Sequence, residues 1–347
     1  YSLAILAALV GCLAISGTAS AATTRDATRW PFTSSSPWNY PVGSGAVFES
    51  ATAGCTRDIS DKSLVTDINA AQYSHPVYVA TSTDPLTKIT VGGKVKATIR
   101  VPANAKPARP TFSEDPWTDA HMHVIQPAAN GDQVVYEMWR AKRTSSGITA
   151  DSLSKNSLYS SGVGAGGERA YGGSALGGLI RTFELQGRAI PHALALAIPR
   201  NHLRLGQVWP AIWQDAGAVG TYLGNVPMGT FAAIPPSVNI DQLGLTSTTV
   251  KTMARALQDY GAYIVDATSS DASFTAEPSA DSLLGNFWSD LTKLRGQLRC
   301  VTNNTPSTIG GGGTPRVALA PPLAAAPAAK LRANTIHRRH HRKHRHH

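Results

Sequence analysis

The chain has 347 residues, of which 42% are hydrophobic and 16% charged, and a formal net charge of +10. This composition excludes a chain that is disordered throughout, and the length allows one large domain or two average ones. Seven of the 32 Lys/Arg and none of the 22 Asp/Glu fall between Lys330 and His347, so the rest carries only +3. Basicity therefore gives no ground for a nucleic-acid groove on the fold, and no specific nucleic-acid partner is expected.

Residues 1–21 form an uncharged apolar run closed by Ala19-Ser20-Ala21, the small-x-small form of a signal-peptidase site. The run is too short for a transmembrane helix, so the protein is expected to be secreted or extracellular, in association with the cell wall or free of it. Leu9-Val10-Gly11-Cys12 also fits a lipoprotein cleavage box, in which case a lipid on Cys12 would anchor the chain. In an oxidising compartment the remaining cysteines, Cys55 and Cys300, are expected to pair.

Trp30, Phe32, Trp38 and Tyr40 punctuate a Pro-rich segment that reads as extended chain pinned by its rings; the alternative is a sugar-stacking platform. Ile59–Gln72 has helical spacing, with Asp58 or Ser60 as cap. From Tyr73 the pattern turns to β, and Gly92-Gly93 marks a hairpin turn. A second hairpin follows: Asp119–Ile125 alternates, Ala129–Asp132 forms the turn and Gln133–Arg143 returns. In one register the face carrying His121 and His123 lies beside Tyr136 and Met138, and in the other beside Glu137 and Trp139.

The Gly-rich stretch between Thr144 and Gly178 has no Lys-Ser/Thr after it, so it reads as a loop or lid beside a site and not as a phosphate cradle. Leu176–Leu185 is predicted helical and stops at Gly187, and Ala189–Ile198 is a strand with His192 as the polar group on an apolar stripe. Helices are predicted within Asp241–Tyr260, capped by Thr246, and over Asp281–Leu298, with a strand at Ala262–Asp266 between them. The fold class read from this order is mainly β: an antiparallel sandwich or jelly roll with a few peripheral helices, spanning 22–305 as one domain. Residues 306–347 read as a Gly/Pro/Ala linker and a His/Arg-rich tail, suited to an anionic cell envelope.

Three chemistries fit the residues. His121 and His123 on one strand face, with His192 as third ligand, suit a divalent metal such as Zn²⁺. Elimination on an acidic polysaccharide needs no cofactor: Arg181 or Arg140 would neutralise the uronate, a histidine would take the proton, and Tyr136 would serve the leaving oxygen. Hydrolysis of a glycoside would use two carboxylates from Asp119, Glu137, Glu184 and Asp266, with Asp119 also suited to orienting a histidine. The expected function is thus a secreted carbohydrate-active enzyme, a lyase or hydrolase of cell-wall or environmental polysaccharide. The alternatives are a non-catalytic carbohydrate-binding or wall-associated protein and a metal-dependent hydrolase.

Four blocks, R-W-P-F-T-S-S-S-P-W-N from Arg29, D-A-H-M-H-V-I from Asp119, G-G-L-I-R-T-F-E-L-Q-G-R-A-I-P-H-A-L from Gly177 and A-L-Q-D-Y-G-A-Y-I-V-D from Ala256, resemble a family of secreted, actinobacterial-type proteins that is largely uncharacterised. The resemblance spans Arg29 to about Pro315 and implies a single domain. Asp119, His121, His123, Arg181, Glu184, His192 and Asp266 fall inside its blocks, and it assigns none of them a role.

Overall fold

A computed structural model describes residues 24–109, 118–127 and 133–325. The expected leader at 1–21, the turn Ala129–Asp132 and the basic tail from Lys330 lie outside them. In chain order the described residues form helix α1 (Gly54–Ile59) and strands β1 (Thr66–Asn69), β2 (Val77–Val79), β3 (Leu86–Val91), β4 (Lys94–Arg100), β5 (Met122–Pro127), β6 (Gln133–Trp139), β7 (Lys142–Thr144), β8 (Gly147–Ala150) and β9 (Ser152–Ser157). After helix α2 (Thr182–Gly187) come β10 (Leu194–Pro199), β11 (Leu203–Gln207), β12 (Val226–Met228) and β13 (Phe231–Ala233). Helix α3 (Thr248–Asp259), β14 (Ala262–Thr268), β15 (Ala272–Thr275), α4 (Asp281–Leu284), α5 (Trp288–Arg295) and β16 (Arg299–Cys300) complete the set.

The protein is mostly β with few helices, and its sheets are mixed. A six-stranded sheet runs β1-β15-β10-β14-β13-β16, beside four-stranded sheets β2-β5-β6-β9 and β4-β3-β8-β7 and a β11-β12 pair. The pairs β1/β15, β2/β5, β3/β8, β10/β14 and β11/β12 are parallel, which departs from the all-antiparallel sandwich or jelly roll expected. The hairpin signals were local and correct at Gly92-Gly93, where both glycines have positive φ. Parallel pairing joins strands distant in sequence, and no turn motif announces it.

Two apolar cores result. The larger covers the six-stranded sheet and takes in α3, whose Val250, Met253, Ala254 and Leu257 are buried beneath a cap in which the Ser247 hydroxyl accepts from the Val250 amide. Ser247 is thus the cap, in place of Thr246. The smaller lies between the other two sheets, around Ile89, Ile99, Met122, Val124, Met138 and Ile148. Phe32 and Trp38 are buried in the larger core; Trp38 meets Tyr171 and Tyr263 edge-on with centroids 5.8 and 5.3 Å away.

Other departures have local causes. Ile59–Gln72 is not helical: α1 ends at Ile59, and residues 66–69 pair in parallel with β15, whose register outweighs a helical spacing of only three apolar positions. The helix expected over Asp281–Leu298 breaks at Gly285, which has a φ of 63°. Residues 306–325, read as linker, pack against the body. Gly310 to Gly313 all take positive φ, and a Cβ at Gly43 would lie 1.9 Å from the Gly312 carbonyl oxygen, so glycine is needed where these segments cross. Among the described residues no helix is long and apolar enough to cross a membrane.

Cys55 and Cys300 are bonded across 245 positions of sequence and join α1 to β16. Constraining so long a loop is worth up to about 5 kcal/mol in the unfolded chain. Replacing both cysteines by serine should lower the denaturant-unfolding free energy by several kcal/mol; a change below about 1 kcal/mol would show that the bridge is dispensable to the fold.

Candidate functional site

Strand period decides which side chains meet. His123 pairs with Glu137 across β5/β6 and with Val77 across β2/β5, which selects the Glu137/Trp139 register of the two open from sequence. Extending the parallel register by two residues sets His75 beside His121. Residues 74–76 are fixed at both ends of this contact: the Ser74 hydroxyl donates to the Ala276 carbonyl at 2.7 Å, and the His123 amide donates to the Pro76 carbonyl at 3.1 Å. Ahead of His121, Ala120 is fully buried at a φ of 38°, and Arg140 alongside has a φ of 52°. The Arg140 and Ala141 amides bond to the Asp119 and Ala120 carbonyls, holding this strained backbone in place.

The outcome is a group of three imidazoles, His75, His121 and His123, exposed by 4%, 4% and 0%. Their rings are nearly parallel, with His75 4.1 Å from His121 and 5.1 Å from His123 between centroids. His75 Nδ1 and His123 Nε2 are 2.8 Å apart, so one of the two carries the shared proton. Nδ1 of His121 and Nδ1 of His123 are buried and have no partner among the described residues. Burial drives all three pKa values down, helped by the Arg169 cation; His121 falls to about 3 although a backbone bond with Met138 opposes the shift, and the other two lie well below the usual 6.5.

Arg169 is buried, and sequence reading did not single it out. Its guanidinium donates to the Thr275 hydroxyl at 3.2 Å and to the Ala175 carbonyl at 3.5 Å, while Nε has no partner among the described residues. Its charge is felt by Asp119, Glu137 and Asp266. Asp266 stands in β14 where the register with β10 shifts by one residue, and burial, then the neighbouring Asp215, lift it to about 7 against the pull of Arg169. Asp119 is raised by burial and by Asp215, and accepts a 3.0 Å bond from the Trp139 indole. Asp215 in turn accepts from the Tyr222 hydroxyl. Asp119 and Asp266, from distant segments, therefore both feel Arg169, and Asp215 acts on each of the two.

The other expected residues are placed differently. Tyr136 projects from the opposite face of β6, packs on the smaller core and lies 5.7 Å below the Lys155 ammonium, away from the histidines. Glu137 faces them but is fully buried as an acceptor: Ser174 and Ala175 donate to it, as do Ser154 and Asn156, and burial still lifts it to about 7. Arg140 pairs with Asp151 at 3.1 Å. Arg181, Glu184 and His192 form a separate group. Arg181 binds Glu277 at 2.9 Å, and its amide donates to Glu184 at 2.8 Å. His192 Nε2 is 2.9 Å from Glu184 and its Nδ1 2.9 Å from the Ala193 carbonyl.

With an acceptor at each nitrogen, His192 has no lone pair to offer a metal, and His75 takes the place expected for it. The one weak sign of His75 in the sequence is its place at the head of H-P-V-Y-V-A, within the β stretch that begins at Tyr73. That run's parallel partner was not legible.

No known protein family, curated protein or solved structure matches this chain, so neither the fold nor the site inherits an activity.

For His192 burial lowers the pKa, but the charge and hydrogen bond of Glu184 outweigh it and leave the net value raised above 6.5. The pair's stabilisation is therefore complete below about pH 6.5 and lost as pH climbs through the higher folded value. His192→Gln should flatten that decline in a series of denaturation curves. An unchanged pH dependence would mean that the imidazole is not cationic in the folded state.

Proposed function

We propose that this protein is a secreted carbohydrate-active enzyme that cleaves a polysaccharide with two carboxyl groups, one giving a proton to the leaving oxygen and the other taking a proton from the attacking water in hydrolysis or from the sugar carbon in elimination. The observation that carries the reading is the convergence of Asp119 and Asp266 on the buried Arg169 beside the three imidazoles, with Asp215 acting on both acids. Buried charge of this density is costly to assemble and gives the fold no packing advantage over apolar side chains, which favours a chemical role. Asp266, held near 7, is protonated in mildly acidic solution and suits the acid that serves a leaving oxygen. Asp119, oriented by the Trp139 indole, suits the second carboxylate. Arg169 supplies the cation for a uronate or for charge that develops during cleavage.

Two tryptophans support a sugar as the substrate. Trp139 is half-buried against Asp119, and Trp213, 54% exposed, lies over Gly166 and Gly172 of the loop that carries Arg169. Exposed rings beside carboxylates suit stacking on a sugar face. The lyase form of the reading now rests on Arg169 and not on Arg181 or Arg140, its base would be Asp119 in place of a histidine, and Asp266 would serve the leaving oxygen in place of Tyr136.

The test is a panel of neutral and acidic polysaccharides, with reducing ends reporting hydrolysis and unsaturated ends reporting elimination. Asp266→Asn should lower kcat by about a thousandfold, leave the melting temperature nearly unchanged and abolish the loss of activity as pH rises through about 7. Full turnover by that variant would contradict the assignment of Asp266. Binding of polysaccharide by the natural chain without release of product would favour the non-catalytic alternative.

A further inference from the structure

We infer that His75, His121 and His123 form a site for a divalent transition-metal ion. One ring nitrogen from each lies within 4.8 Å of those of the other two. A tetrahedral ion with nitrogen ligands at about 2.05 Å needs edges of about 3.3 Å, so a small rotation of the rings brings them into range. Little competes for these nitrogens among the described residues: His75 and His123 share one hydrogen bond, His121 makes one to the Met138 backbone, and Nδ1 of His121 and Nδ1 of His123 have no partner there. Idle polar atoms in a dry interior cost free energy that one cation accepting three lone pairs would remove.

The frame is rigid enough to hold such a site. His123 lies in β5 between two paired strands, and the backbone on either side of His121 is tied down, its carbonyl accepting from the Ala108 amide at 2.9 Å. Ligands carried on strands keep their geometry better than ligands on loops. A set of neutral imidazoles without thiolate or carboxylate selects zinc, cobalt, nickel or copper and disfavours magnesium and calcium. Arg169 opposes a dication here, and the carboxylates of Asp119, Glu137 and Asp266, which all feel Arg169, offset that repulsion. Three protein ligands leave a fourth position open, the arrangement in which a metal polarises a carbonyl or activates water. The group Glu49, Cys55 and Cys300 is not a rival, because its sulfurs are bonded to each other.

This inference stands apart from the polysaccharide reading, since metal binding can be measured without any substrate. The full chain carries six further histidines after Ile336, so the readout must be a difference. Stripped natural chain and the full-chain variants His75→Ala and His121→Ala would each be dialysed against Zn²⁺ with a weak chelator, and the retained metal counted. The natural chain should keep one equivalent more than either variant, with at least about a hundredfold tighter binding, and only its melting temperature should rise with Zn²⁺. If a variant does not fold, Co²⁺ added to the natural chain decides: a visible band of four-coordinate cobalt supports the site. Equal retention by folded variants, or a natural chain with neither the band nor the thermal shift, would overturn it.

Discussion

The register of one short parallel strand on a hairpin sets the geometry of the whole site. Val77 stands opposite His123, and His123 opposite Glu137, across the β2/β5/β6 part of one sheet. Because strand side chains alternate, this alignment sends Met122, Val124 and Met138 into the smaller core and His123, Ile125, Val135 and Glu137 toward the larger one. A slip of one residue would bury a histidine and a glutamate among methionines and expose the apolar set on the other side. Two dry cores on opposite faces thus allow one register and penalise the alternatives. Glu137 reinforces it by accepting hydrogen bonds from Ser174 and Ala175, which ties the hairpin to the Gly-rich loop that also bears Arg169.

Given that register, the electrostatics follow from burial. The imidazoles lose their protons because burial penalises the charged form and Arg169 is close, while among the described residues no carboxylate is bonded to them. His192, equally buried, keeps its proton because Glu184 is 2.9 Å away. Two kinds of histidine therefore coexist in one fold, one suited to donating lone pairs and one to holding a local structure by charge. The acids divide in the same way: Glu137 is enclosed by donors, whereas Asp119 and Asp266 retain some exposure and are lifted by their neighbours as well as by burial.

What could be read from sequence was what depends on near neighbours in the chain. The Gly92-Gly93 turn, the central hairpin, the pairing of Cys55 with Cys300, and α3 with the strand that follows it were all legible, because each rests on periodicity, turn chemistry or simple elimination. What depends on distant pairing was not. Residues 66–69 took a strand in place of a helix because β15 was there to receive them, and His75 joined the site through a parallel contact that leaves no local mark. Arg169 sat unnoticed among glycines. The third imidazole was sought at His192 because a polar residue on an apolar stripe draws attention, yet the same isolation let Glu184 claim it.

The central claim is that three buried histidines form a neutral, converging group distinct from His192. Ring-nitrogen NMR of the folded protein, free of added metal, at about pH 5.5 tests it directly. His75, His121 and His123 should give the signals of neutral imidazole and His192 those of imidazolium. If the three instead titrate near 6.5 like solvent-exposed histidines, the group is not buried as described and both the chemistry and the metal site built on it fail.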